Sequence, residues 1–150
     1  MGVAGTVVSA AAASLSMTAT AGADRRFVAL ETPVEIPLES LQQLWEPVPF
    51  RARFVRPNGK PAVAPGIAVR VPRAGIQTFC LYCPHELCLI DLTESRELFC
   101  TCHASTFDPL KDGARIAGPA TRGTYQFECV VAKNTLTVTG IEADIEELLP

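Results

Sequence analysis

Apolar and polar residues alternate over short stretches of this chain after residue 26, which is the period-two pattern of half-buried β-strands. The clearest example runs from Phe50 to Val55, where apolar side chains alternate with Arg51 and Arg53. The segment Pro57-Asn58-Gly59-Lys60 is typical of a turn. The pattern therefore predicts an all-β, antiparallel domain whose two arginines lie on a solvated strand face.

The segments that flank this pattern are less regular. Residues 39–45 are expected to form one or two helical turns, with Leu41 and Leu44 facing inward. Residues 125–131 and 135–139 flank a predicted turn at Lys133-Asn134 and should pair as a closing hairpin. The last ten residues are acidic, and either a short helix or a loose tail fits them.

The first 23 residues carry no charge and are rich in alanine, valine, serine and threonine. This stretch is long enough to span a bilayer. Three interpretations remain open: a transmembrane anchor, a signal peptide cleaved after Ala21-Gly22-Ala23, and a linker. The anchor is favoured. We therefore predict an N-terminal apolar segment over residues 1–26 and one folded domain over residues 27–150.

Composition narrows the class of protein. The 150 residues carry a formal net charge of −3, and no basic patch is interleaved with aromatic residues. Nucleic acid is therefore excluded as an expected partner. Charged residues make up only 19% of the chain, and 12 prolines favour a loop-rich β domain over a helical one.

Two cysteine–histidine motifs carry the candidate chemistry. The chain has only two histidines, and they occur in Cys83-Pro84-His85 and in Cys100-Thr101-Cys102-His103. Cys88 lies close to the first motif. This pattern fits a [2Fe–2S] cluster that is held by two thiolates on one iron and two imidazoles on the other. Imidazole is neutral as a ligand, so such a cluster accepts an electron more readily than an all-cysteine cluster does.

Other interpretations of these residues stay open at this point. A structural zinc site is the main alternative for any Cys/His cluster. Cys80-Leu81-Tyr82-Cys83 has the spacing of a redox dithiol, but Pro84 follows at once and no helical pattern comes after it. Cys80 and Cys129 are expected to be small buried strand residues, although a bridge between them is conceivable.

The two motifs resemble those of Rieske iron–sulfur proteins of the cytochrome bc1/b6f branch. The resemblance rests on Cys83-Pro84-His85-Glu86-Leu87-Cys88 and on residues 100–105, and it is strongest over about residues 79–120. It implies an antiparallel Rieske β-sandwich or barrel with an inserted cluster-binding subdomain, whose loops occupy about residues 79–122. It also implies one [2Fe–2S] cluster per chain with the ligands Cys83, His85, Cys100 and His103, and a disulfide between Cys88 and Cys102.

The resemblance assigns further roles near the cluster. Ser105 would donate a hydrogen bond to a bridging sulfide, although a turn serine satisfied by the backbone is the alternative. Phe107 stands where relatives often have a tyrosine, so the potential should be lower than in those relatives. Shielding of the cluster is expected from residues of both neighbouring loops, namely Glu86, Leu87, Gly118 and Pro119. Glu86 is a departure, because relatives carry a hydrophobic residue there.

The function implied by the resemblance is one-electron transfer, with no substrate chemistry by the isolated chain. The preferred hypothesis is the iron–sulfur subunit of a quinol-oxidising cytochrome bc-type complex, with quinol and cytochrome b-type and c-type subunits as partners. The first alternative is the small Rieske subunit of a molybdenum oxidoreductase such as arsenite oxidase. The second is a structural zinc-binding interaction module. A Cys88–Cys102 disulfide would persist only in an oxidising compartment, which predicts a membrane-associated protein with its head on the periplasmic side.

Overall fold

Ten antiparallel strands form two sheets in residues 25–150, the part of the chain that this computed structural model describes. Of the predicted N-terminal segment, residues 1–24 lie outside the described residues. The strands are β1 Phe27–Pro37, β2 Val48–Val55, β3 Pro61–Val71, β4 Gly75–Cys80, β5 Ile90–Leu92, β6 Leu98–Cys100, β7 Thr106–Asp108, β8 Ala114–Ala117, β9 Phe127–Ala132 and β10 Thr135–Glu142. The predicted all-β, antiparallel fold class is confirmed.

The larger sheet has six strands in the order β4-β3-β2-β1-β10-β9. Its two outer strands approach each other, because the Cys80 amide donates to the Tyr125 carbonyl at 3.1 Å and Phe79 forms a bridge with Gln126. The sheet is therefore a nearly closed barrel. Its interior holds the buried side chains of alternating strand positions, among them Phe50, Ala52 and Phe54 of β2, while Arg51 and Arg53 face outward as the pattern predicts.

The smaller sheet has four strands in the order β5-β6-β7-β8, and it is inserted between β4 and β9 of the larger sheet. It does not have a core of its own. One hydrophobic cluster joins Val69 and Phe79 of the larger sheet to Ile90, Leu98 and Phe107 of the smaller one. Ile67, Val69 and Val71 of β3 alternate with the interior residues Ala64 and Ala68, so the insertion is a subdomain that packs on the outer face of the larger sheet.

Three details differ from the sequence-based expectations. The helical segment is a 3₁₀ helix over Leu38–Leu41, so Leu41 is buried as predicted, but Leu44 lies beyond it and is 54% exposed. The sequence predicts two short opening strands, over residues 27–30 and 34–38, but they form one continuous strand with a register shift between Ala29 and Val34. Cys129 is only half-buried and lies beside Thr78, whereas Cys80 is buried as predicted, and both are free thiols.

The acidic C-terminus is ordered on the barrel. Residues Ala143–Glu147 form a 3₁₀ helix, and Ile145 of that helix is buried in the core. Arg56 donates to both carboxylate oxygens of Glu146 and to the carbonyls of Leu149 and Pro150. The short-helix alternative is therefore correct. Within residues 25–150, no helix has the length and apolar character needed to cross a bilayer.

Candidate metal centre

Two loops of the smaller sheet carry the predicted ligands. The first connects β4 to β5, and it is closed by a hydrogen bond of 2.8 Å from the Cys83 amide to the Cys88 carbonyl. The second connects β6 to β7, and its closing bond of 2.9 Å runs from the Cys100 amide to the Ser105 carbonyl. Ala104 completes this turn in the left-handed conformation, with φ of 57°. Each loop is thus a tight turn held by its own backbone.

A disulfide between Cys88 and Cys102 joins the two loops. Cys102 is exposed, whereas Cys88 is half-buried beneath the first loop. The Sγ atom of Cys100 lies within 4.8 Å of both bridged sulfur atoms. The cross-link therefore holds the two loops side by side directly next to a predicted ligand.

The two remaining cysteines of the loops are buried and adjacent. Cys83 and Cys100 are each 1% exposed. Burial raises the pKa of the Cys83 thiol, and the adjacent Cys100 thiol raises it further, whereas hydrogen bonds from the backbone N–H groups of His85 and Glu86 lower it. Backbone donors directed at a sulfur atom favour its thiolate form. Burial prevails, so the net pKa of Cys83 is raised, and these two backbone N–H groups are the ones that would stabilise a thiolate there.

The two imidazoles also meet. The rings of His85 and His103 lie edge to face with their centroids 4.8 Å apart. Nδ1 of His85 is buried and has no hydrogen-bond partner among residues 25–150. The His103 side chain is 45% exposed. One histidine thus directs an unpaired ring nitrogen inward, and the other reaches the surface.

A carboxylate lies at the same tip. An oxygen of Glu86 lies 3.8 Å from Nδ1 of His103, and the Glu86 side chain is 59% exposed. Leu87 is 43% exposed beside it. The structure therefore gives the tip a mixed acidic and apolar surface rather than a uniformly apolar one.

A third loop, between β8 and β9, packs against the second. A Cβ atom added to Gly118 would lie 2.4 Å from Cα of Ser105 and 2.6 Å from the Ala104 carbonyl oxygen. Arg115 donates two hydrogen bonds to the Gly118 carbonyl. Only a glycine allows the two backbones to approach this closely, so Gly118 covers the second loop through main-chain contact. Pro119, which follows it, is exposed.

The two predicted tuning residues are both fully buried, at 0% exposure. Ser105 accepts a hydrogen bond of 3.1 Å from the Ala120 amide of the third loop. That bond uses an oxygen lone pair and leaves the hydroxyl proton available to another acceptor. Phe107 lies in the shared hydrophobic cluster with Cys83 and Cys100. Its ring closes the site on the side of the core and brings no polar group to it.

The family follows from comparison with known proteins. A family model for the Rieske [2Fe-2S] domain matches residues 56–132, just over half of the chain. The chain belongs to the Rieske family. Among curated proteins, no sequence matches it significantly.

A solved structure of another Rieske protein shares the fold. The soluble domain of the Rieske protein II (soxF) from Sulfolobus acidocaldarius is 16% identical and has a TM-score of 0.53, over 87% of this chain and 90% of its own. The cyanobacterial plasma membrane Rieske protein PetC3 from Synechocystis PCC 6803 is 22% identical and has a TM-score of 0.44, over 59% of this chain and 84% of its own.

The residues present fit the cluster that gives this Rieske family its name. Two buried thiols in contact suit a pair of thiolate ligands. The inward Nδ1 of His85 is a buried polar atom without a partner, and such atoms call for a ligand or a metal. Two groups of potentially ligating side chains occur in residues 25–150: one joins His85, Glu86 and His103, whereas the other joins Cys100 to the two disulfide cysteines and does not include Cys83.

Sequence reasoning did not identify two contributors to this Rieske site. Ala104 provides the left-handed turn that brings the second loop back to β7, and the Ala120 amide holds Ser105. Both act through the backbone, so their alanine side chains carry no signal in the sequence.

Proposed function

We propose that this chain transfers single electrons through a Rieske [2Fe–2S] cluster, with Cys83 and Cys100 as ligands of one iron and His85 and His103 as ligands of the other. The observation that carries this proposal is the pairing of like donors: two buried thiols adjoin each other, and two imidazoles adjoin each other, on loops that one disulfide joins. When bound, such a cluster supplies a one-electron redox couple.

The chain's own groups have distinct roles in this proposal. The backbone N–H groups of His85 and Glu86 lower the pKa of Cys83 against the larger effect of its burial, so they would stabilise negative charge on a thiolate ligand. Burial of Cys83, Cys100, Ser105 and Phe107 excludes water from the inner side. The exposed His103 is the group through which a proton or a partner reaches the site, because a ring nitrogen that does not bind metal can carry a proton.

For the parent assembly we propose the quinol-oxidising cytochrome bc-type complex, with quinol and cytochrome b-type and c-type subunits as partners. The disulfide between the loops supports this branch of the family. It also supports a head domain in an oxidising compartment, which in a bacterium is the periplasmic side of the membrane. Residues 1–23 would supply the anchor.

One observation favours a second assembly, the small Rieske subunit of a molybdenum oxidoreductase. The Glu86 carboxylate is exposed at the tip, within 3.8 Å of the His103 ring. A quinol site is expected to meet an apolar tip, whereas a carboxylate suits a polar interface with another subunit. The family match gives no support to the structural zinc module.

The test of the cluster is direct. The full chain, isolated without chelators, should contain two iron atoms and two sulfides per chain and should show a Rieske-type electron-spin signal after reduction. Cys83→Ser and His85→Ala should abolish both. Cys129→Ser is the matched control, because that half-buried thiol lies on β9 away from the loops. A colourless wild-type protein that holds one zinc ion would contradict the proposal.

A separate experiment tests the assembly. Gentle solubilisation followed by affinity purification should recover b-type and c-type cytochromes with the chain. Recovery of a molybdopterin subunit instead would contradict the bc-type assembly and support the second candidate, while the cluster assignment would stand.

A further inference from the structure

A second candidate site lies away from the cluster, at the seam between the barrel and the subdomain. It is a cavity of about 370 Å³, within the size range of small-molecule pockets. The barrel contributes Trp45, Pro72 and Arg73. The subdomain contributes Ser95, Arg96 and Leu110.

The charges of this seam cavity are not neutralised. Neither Arg73 nor Arg96 forms an ion pair within residues 25–150, and both are exposed. No acidic residue lines the cavity. A larger cavity, lined by residues of both regions, provides the contrast, because its Arg25 pairs with Asp112 at 2.9 Å and its Arg122 with Asp144 at 3.3 Å. Two guanidinium groups without partners favour an anionic ligand at the seam.

Apart from Ser95, the rest of the lining is apolar or aromatic. The guanidinium carbon of Arg96 lies 5.4 Å from the centre of the Trp45 ring. Leu110 is 47% exposed at the rim. The indole nitrogen of Trp45 is buried and has no acceptor within the described chain. A ligand that suits this lining carries its negative charge on a flat or apolar body.

Three turns bring residues of the lining to the seam cavity. Trp45, Arg73 and Arg96 all have left-handed φ values, of 68°, 66° and 66°. Arg73 and Arg96 adopt this conformation in the connections of the β3–β4 and β5–β6 hairpins, where a left-handed residue is a regular feature. The turns therefore place the side chains, and the unpaired charges carry the argument for a ligand.

From these observations we propose that the seam cavity binds a carboxylate group carried on an apolar body, with Arg73 and Arg96 receiving the carboxylate and Trp45 and Leu110 contacting the body. The carboxylate can belong to a free small molecule or to a side chain of a partner polypeptide, since both present the same chemistry. This site goes beyond the electron-transfer proposal and does not depend on it.

The single tryptophan of the chain reports on this site. Titration of the full chain with phenylacetate should change Trp45 fluorescence in a saturable way, whereas the uncharged analogue benzyl alcohol should not saturate over the same range. Arg96→Gln and Arg73→Gln should each weaken the apparent affinity about tenfold or more. Arg53→Gln is the matched control, because it removes an exposed arginine of β2 that is also without an ion pair.

Two further arms complete the test. A capped Phe-Glu dipeptide that binds more tightly than phenylacetate, with its Phe-Gln counterpart inactive, assigns the carboxylate to a polypeptide, and the reverse order assigns it to a small molecule. The proposal is overturned if no carboxylate saturates the signal, or if Arg53→Gln weakens binding as much as Arg96→Gln does. Iron content plays no part in the readout, so a failure of the cluster assignment would leave this result interpretable.

Discussion

The barrel and the cluster-binding subdomain are stabilised by different interactions. Barrel strands run up to 11 residues, as in β1 and β3, whereas the subdomain strands have only three or four. Long ladders around a filled interior stabilise the barrel. Strands this short cannot stabilise a sheet alone, so the subdomain depends on its disulfide and on the hydrophobic cluster that it shares with the barrel.

The barrel therefore provides most of the stability, whereas the subdomain carries the proposed functional residues. The four proposed cluster ligands and the disulfide lie in the subdomain, three ligands on loops and Cys100 at the end of β6, and the barrel strands supply none of them. Loops that are positioned by a rigid scaffold are where functional residues concentrate. The subdomain should therefore unfold locally before the barrel does.

Removal of the disulfide should give the largest difference between the two regions. The bridge closes a loop with a sequence separation of 14, for which the expected stabilisation is about 3 kcal/mol. Cys88→Ser and Cys102→Ser should each speed amide exchange in β5–β8 far more than in β2 and β3. They should also lower the redox potential and the retention of iron. Equal acceleration in both sheets would show that the two regions unfold as one unit.

The second-largest effect is expected when the close packing of the third loop against the second is disturbed. Gly118→Ala introduces a Cβ atom 2.4 Å from Cα of Ser105 at a φ of 89°, whereas Gly59→Ala at a φ of 79° meets no atom within 4 Å. Both variants bear the cost of a left-handed alanine, about 1–2 kcal/mol. Only Gly118→Ala adds a clash, so chemical denaturation should show a further loss of about 2 kcal/mol. Equal losses would mean that the third loop moves aside freely.

Replacement of the buried Phe107 tests whether this position tunes the redox potential of the cluster. Phe107→Tyr should raise the redox potential by tens of millivolts up to about a hundred, because a hydroxyl could donate to a ligand sulfur. Spectroelectrochemical titration measures the shift. Phe79→Tyr is the control, since Phe79 is equally buried in the same hydrophobic cluster but lies on the barrel strand β4. An unchanged or lowered potential in Phe107→Tyr would remove the tuning argument.

The smallest effect concerns the barrel alone and depends on pH. The hydrogen bond and charge of Arg56 lower the pKa of Glu146 in the folded protein. Because this pKa is lower in the folded than in the unfolded protein, ionised Glu146 stabilises the fold above the unfolded pKa of about 4.3. This stabilisation is lost as the pH falls through the folded-state pKa. The stability difference between wild type and Arg56→Gln should therefore shrink below about pH 4. A pH-independent difference would assign the role of Arg56 to its bonds with the C-terminal carbonyls.

Local patterns along the chain were sufficient to predict the fold class, the family and the candidate ligands. Alternation along β2 predicted a half-buried strand, since a period of two places every second side chain inside. The two motifs were equally informative, because thiolate and imidazole ligands can come only from cysteine and histidine residues, which are visible in the sequence. Leu44 shows where such local reasoning fails: its spacing from Leu41 suits a helix, but the helix ends at Leu41.

Contacts between residues of different loops could be seen only in the folded structure. The contact of Glu86 with His103, the closure of Gly118 on Ser105, and the seam between Trp45 and Arg96 all join residues from different loops. Their sequence separations are large, and the backbone of Ala104 and Ala120 contributes without any side-chain signal. Local pattern specifies elements through short-range geometry, whereas these contacts depend on how two sheets pack over one shared core.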